Sequence, residues 1–178
     1  MLRDGYAAVT SRRVEAEAGI KLHYHFGTLD ELFVAVVRRR GETNVVLLAN
    51  ALASPEPLRA WWRLVSEPRG NGLLVEFTAA ANHRPAMQAE VATVAHEVRR
   101  MQLEALESML DDYGIDRDMF PPALVAAAVQ GLAFVTAHDK VAGFQTEPEE
   151  ATAAMGRLVD YLEERRARSS GLLTEQTR

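Results

Sequence analysis

Two groups of residues in this chain carry side chains able to do chemistry. In the first, Leu22-His23-Tyr24-His25 sets two imidazoles and a phenol in succession, shortly after Thr10, Ser11, Arg12, Arg13 and Lys21. Hydroxyls and cations of this kind hold phosphate, and side chains like the following four suit base edges. For Arg12 and Arg13 a solvated helix face stands equally open. The second group is dispersed: Trp61, Trp62, Phe77, His83, His96, Met101, Phe134 and His138 fall on apolar stretches. An apolar pocket with a few polar groups is what a small ligand needs, although for each of these residues alone core packing is the better reading. His96-Glu97 and His138-Asp139 offer imidazole beside carboxylate, but at no recognised metal-ligand spacing, and no cofactor is expected. The sequence has no nucleophile elbow, glycine-rich phosphate loop or H-E-x-x-H, which argues against an enzyme.

The elements that must position the first group are short and sharply punctuated. Thr10 and Ser11 are capping residues ahead of a helix from Arg12 to Ala18, with Val14 and Ala18 on one face and Gly19 as its stop. Ile20 is the expected apolar plug of the turn. Leu22 to Phe26 forms a second short segment closed by Gly27, and Thr28 with Glu31 is a capping box for a third helix. Two short helices around a glycine turn make a helix-turn-helix candidate.

Ala18-Gly19-Ile20, Leu22-His23-Tyr24-His25-Phe26 and Gly27-Thr28-Leu29-Asp30-Glu31-Leu32-Phe33 together resemble the signature of tetracycline-repressor (TetR) family transcriptional regulators. The match spans the first quarter of the chain. The resemblance implies that Thr10 to Ala18 crosses the DNA backbone and that Lys21 to His25 enters the major groove. It further implies a cytoplasmic homodimer whose partners are a double-stranded, palindromic operator and a small apolar effector that releases it. The pattern departs in four places. Met1 stands where the family's first helix should be ending. The interval from Gly19 to Phe26 is short by about three residues of recognition helix. Glu15 takes the place of a small buried residue, and Leu29 and His23 replace a lysine and a tyrosine. Residues 1–178 taken alone are expected to bind an operator weakly: either the head is degenerate, or further residues precede Met1 and stand between Lys21 and Leu22, in which case the complete head should bind a palindromic site tightly.

Composition places the chain among ordinary globular proteins: 178 residues, 48% hydrophobic and 25% charged, without cysteine. No window approaches a membrane span or a signal-peptide core. Residues 1–40 carry seven basic side chains against five acidic ones, +2, which leaves −7 for the rest of a chain with net charge −5. Positive charge therefore accompanies the candidate reading head.

Periodicity predicts an all-α fold. Helices are expected over 29–53, with Gly41 a weak point, and over 58–65. A Pro/Gly loop over 67–72 should follow, then helices over 73–81, 86–113, 123–144 and 149–168. The acids at the start of the last and Arg165, Arg166 and Arg168 at its end suit the helix macrodipole, and 169–178 forms a tail. The organisation expected is a small head over 1–40 and a ligand-binding and dimerisation bundle over 41–168. Trp62, Phe77, His96, Met101, Phe134 and His138 are the candidate ligand residues. Leu124, Ala128, Leu132 and Val135, with Met155, Leu158, Val159 and Leu162, are the candidate dimer interface, since charge-poor, Ala-rich stripes permit close helix approach. The same stripes could equally pack within one subunit.

Overall fold

The computed structural model describes residues 9–67, 77–143, 148–169 and 171, and every regular element among them is helical. Helix α1 spans Ser11–Ala18 and is followed by a single 3-10 turn, Leu22–Tyr24. Then come α2 (Leu29–Leu52), α3 (Pro57–Val65), a helical stretch over 77–81, α4 (Pro85–Asp112), α5 (Pro122–Ala142) and α6 (Pro148–Ser169). The expected loop from Pro68 to Gly72, the expected helix positions Leu73 and Leu74, Phe144 and most of the tail lie outside the described residues. No helix among the described residues is long and apolar enough to cross a membrane.

The helix boundaries follow from local chemistry. Thr10 Oγ1 accepts from the Arg13 N–H at 3.3 Å and Thr28 Oγ1 from the Glu31 N–H at 3.1 Å, each satisfying an orphan donor of a first turn. Glu31 reaches back to the Gly27 N–H at 2.9 Å, one residue beyond the usual capping-box partner. Pro57 and Pro85 open α3 and α4, where a missing N–H costs nothing. Gly114, at φ 62°, ends α4: its N–H reaches Asp111 O, and Ile115 N–H reaches Leu110 O, a Schellman closure.

Two hydrophobic cores share α2 and α4. The smaller gathers Phe33 and Val37 of α2, Phe77, Ala80, Ala81 and Met87. The larger is built on Leu48, Leu58, Trp61, Trp62, Leu106, Leu110, Tyr113, Val129 and Val159, with parts of α5 and α6. Because α2 runs unbroken from Leu29 to Leu52, the division drawn after residue 40 falls inside a helix, and the head rests on 77–91.

Gly41 has a different role from the one its helix propensity suggests. It is buried between the two cores, where a Cβ would lie 2.9 Å from Val94 Cγ1 and closer still to Cγ2. The missing side chain lets α2 and α4 cross at contact. Arg38 clamps the same crossing with two hydrogen bonds to Glu90, at 3.0 and 2.9 Å. Arg84 pairs with Asp30 and places its guanidinium 5.2 Å from the Phe33 ring centre.

Candidate functional site

The candidate DNA-contacting side chains of the head, Leu22 apart, are open to solvent. Thr10, Ser11, Arg12, Arg13, Lys21, His23, Tyr24 and His25 are all exposed, Tyr24 at 77%. The rings of His23 and Tyr24 lie 4.2 Å apart, so they form one projecting unit. Thr10 Oγ1 serves the backbone as an acceptor, which leaves its proton for donation.

Leu22 departs from the base-facing role expected of it. It is 4% exposed and plugs the turn, whereas Ile20, expected in that place, is 42% exposed. The cause lies in the turn itself. Gly19 adopts φ 67° and donates to Glu15 O, so the chain reverses immediately and the next apolar side chain to face inward is Leu22. Glu15 then fixes it: its Oε1 accepts the Leu22 N–H at 2.7 Å and lies 3.8 Å from His23 Nδ1. The carboxylate that departs from the family pattern is a staple between α1 and the turn. Sequence reading missed this role, whose one signal was an acid on the inner face of a short helix.

The six candidate ligand residues do not meet. Trp62 is buried in the larger core and Met101 packs against it, while Phe77 belongs to the smaller core. His96 is exposed on α4. Phe134 and His138 stack on each other at 6.4 Å on the outside of α5, with Phe134 41% exposed. Their helical spacing was read correctly, but spacing alone does not give the face. No cluster of three or more potential metal ligands occurs among the described residues.

The candidate dimer residues divide in two. Val159 is 2% exposed, and Leu132, Met155 and Leu162 pack on the larger core, so these four serve one subunit's interior. Leu124, Ala128, Val135 and Leu158 face outward with Phe134 and Tyr161. In α5 the usual order is inverted: Ala126, Val129, Ala133 and Ala137 are buried while Leu124, Phe134 and Val135 are exposed. Small inward side chains let α5 lie close to its neighbours, and the large ones are left exposed.

A second polar constellation lies inside the larger core. Glu163 of α6, 4% exposed, accepts the Arg59 N–H at 3.0 Å and lies 3.6 Å from Arg166 Nη1. It caps α3, whose own N-cap, Glu56, contributes no side-chain cap. The Tyr113 hydroxyl sits beside this carboxylate without hydrogen-bond geometry, and its ionisation is pushed up by burial first and by Glu163 second. A glutamate four residues after Val159 on an apolar stripe was the available signal.

No family model, curated protein or solved structure matches the chain.

Proposed function

We propose that this protein is a dimeric, non-enzymatic DNA-binding regulator of the TetR type, acting on cytoplasmic DNA and released from a palindromic operator by a small effector. The observation that carries the reading is the head: a capped helix, a left-handed glycine, one turn and a capped long helix, in which Arg12, Arg13, Lys21, His23, Tyr24 and His25 are all exposed. Arg12, Arg13 and Lys21 hold phosphate, and His23, Tyr24 and His25 approach the bases. The outer face of α5 and α6 supports a two-fold pairing, since Leu124, Val135, Leu158 and Tyr161 are each about half exposed (49, 53, 51 and 55%).

One observation favours a second reading, a ligand-binding dimer with a vestigial head. The recognition segment is a single 3-10 turn of three residues, too short to lie along a groove as an α-helix does. Selection from a random duplex pool, followed by anisotropy titration over a salt series, separates the two. A working head enriches a palindrome, and Arg12→Ala or Lys21→Ala lowers the salt slope by about one each without changing the site. If no sequence is enriched over random duplex at low salt, the vestigial reading replaces the first.

A further inference from the structure

Glu15 holds the reading turn from two sides. Its main-chain oxygen accepts the Gly19 N–H at 3.0 Å and closes α1, while its carboxylate Oε1 accepts the Leu22 N–H at 2.7 Å, where the 3-10 turn begins. Lys21, the residue before the turn, makes no side-chain cap, so a residue seven positions back supplies one instead. Leu22 is thereby fixed at three points: its N–H is held by Glu15, its side chain is buried, and its C=O accepts the N–H groups of both His25 and Phe26 at 2.9 Å. His23, Tyr24 and His25 follow directly and are all exposed. A 3-10 turn of three residues has poorer hydrogen-bond geometry than an α-helix, so the direction of these three side chains depends on how Leu22 is held. The same Oε1 lies 3.8 Å from His23 Nδ1, too far for a hydrogen bond but near enough to attract a proton on that nitrogen.

We propose that Glu15 is the positioning residue of the head: without touching DNA, its carboxylate orients His23, Tyr24 and His25 and so sets sequence selectivity. The proposal rests on the DNA-binding reading above and adds to it the group on which discrimination between sequences depends. Phosphate contacts give affinity for any duplex, whereas base contacts give selectivity and require close placement of the side chains that make them. Arg12 and Arg13 lie on α1, whose own cap is Thr10, so their hold on phosphate does not require the Leu22 cap. Loss of the Glu15 carboxylate therefore separates the two contributions: affinity for random duplex remains and preference for one sequence falls.

Glu15→Ala and Glu15→Gln test this in the full-length protein. Both remove the same negative charge and share any general gain in attraction to phosphate, but glutamine keeps an acceptor oxygen for the Leu22 N–H. A duplex selected from a random pool by the wild-type protein, and an unselected duplex of equal length, are titrated with all three proteins by anisotropy. Glu15→Ala is expected to lower the ratio of the two affinities about tenfold or more, Glu15→Gln to stay within about threefold of wild type, and both variants to bind the unselected duplex alike. In the free proteins, hydrogen exchange at the Leu22 amide should be faster in Glu15→Ala than in Glu15→Gln. Both variants should melt at the wild-type temperature, since α1 buries no residue in either core. An unchanged ratio in Glu15→Ala overturns the positioning role and leaves the DNA-binding reading standing. An equal loss in both variants assigns the effect to charge and overturns it as well. If the wild-type protein enriches no sequence, the DNA-binding reading fails and the proposal fails with it.

Discussion

Replacing Gly41 by alanine tests the crossing of α2 and α4, and the sign of its effect depends on a single neighbour. In an open helix the exchange would stabilise by about 1 kcal/mol, because glycine is the poorer helix former. Here the added methyl lies 2.9 Å from Val94 Cγ1 and 3.2 Å from its Cβ. Valine in a helix is held in one favoured rotamer, so neither methyl can swing away. Overpacking of this kind costs about 1–3 kcal/mol, and the contact with stiff, branched carbon puts it in the upper half of that range. The net expectation for Gly41→Ala is a loss of about 1–2 kcal/mol, or roughly 2–8 °C in melting temperature for a chain of this size.

The partner substitution turns this into a cycle. Val94→Ala removes both offending methyls, so Gly41→Ala made on that background should stabilise by about 0.5–1 kcal/mol, giving a coupling of about 1.5–3 kcal/mol. Urea denaturation of the four proteins measures it. A Gly41→Ala protein more stable than wild type, or an effect of the same sign on both backgrounds, would mean that the helices do not cross at this contact.

Four further outcomes follow from the same geometry. Glu163→Ala leaves the α3 N-terminus without its acceptor and should cost about 2–4 kcal/mol in denaturant titration, while Glu163→Gln, which keeps an acceptor oxygen, should cost less. The Arg38 hydrogen bond and charge hold the Glu90 carboxyl below the usual carboxylate range, so the stability this pair supplies is present above about pH 4.3 and is lost as pH falls through the lowered value; in acid titrations Arg38→Ala should flatten that part of the curve. Because burial raises the Tyr113 ionisation above its ordinary value, stability should fall as pH rises beyond about 10, and Tyr113→Phe should remove that slope. Val135→Asp and Leu158→Asp, both on exposed positions, should leave the fold intact and yield monomers in sedimentation at micromolar concentration; dimers that persist in both would remove the pairing through α5 and α6.

What could be read from the sequence was whatever short-range chemistry decides. Thr10, Gly19, Thr28, Pro85 and Gly114 punctuate the chain within one or two residues of where the structure breaks it, because caps and left-handed glycines act through their own backbone. Facing was harder to read wherever apolar residues surround a helix. In α5 the pattern gives no preferred side, and the choice of Ala126, Ala133 and Ala137 as the buried face follows from how closely its neighbours approach. Long-range roles were not legible either. Glu163 caps a helix 104 residues away in sequence, and the closeness of Gly41 to Val94 depends on a crossing that no local pattern encodes.

The two cores are joined through two shared helices. Helices α2 and α4 belong to both: Phe33 and Val37 lie in one core and Leu48 in the other on α2, and Met87 in one and Leu106 in the other on α4. Between them stand Gly41 against Val94 and Arg38 against Glu90, where the two helices are in contact. Sliding of α4 against α2 at this crossing would lose the contact or the paired hydrogen bonds. Any relative displacement of the two helices would be opposed by this joint, and the Gly41 and Val94 cycle measures the coupling energy held there.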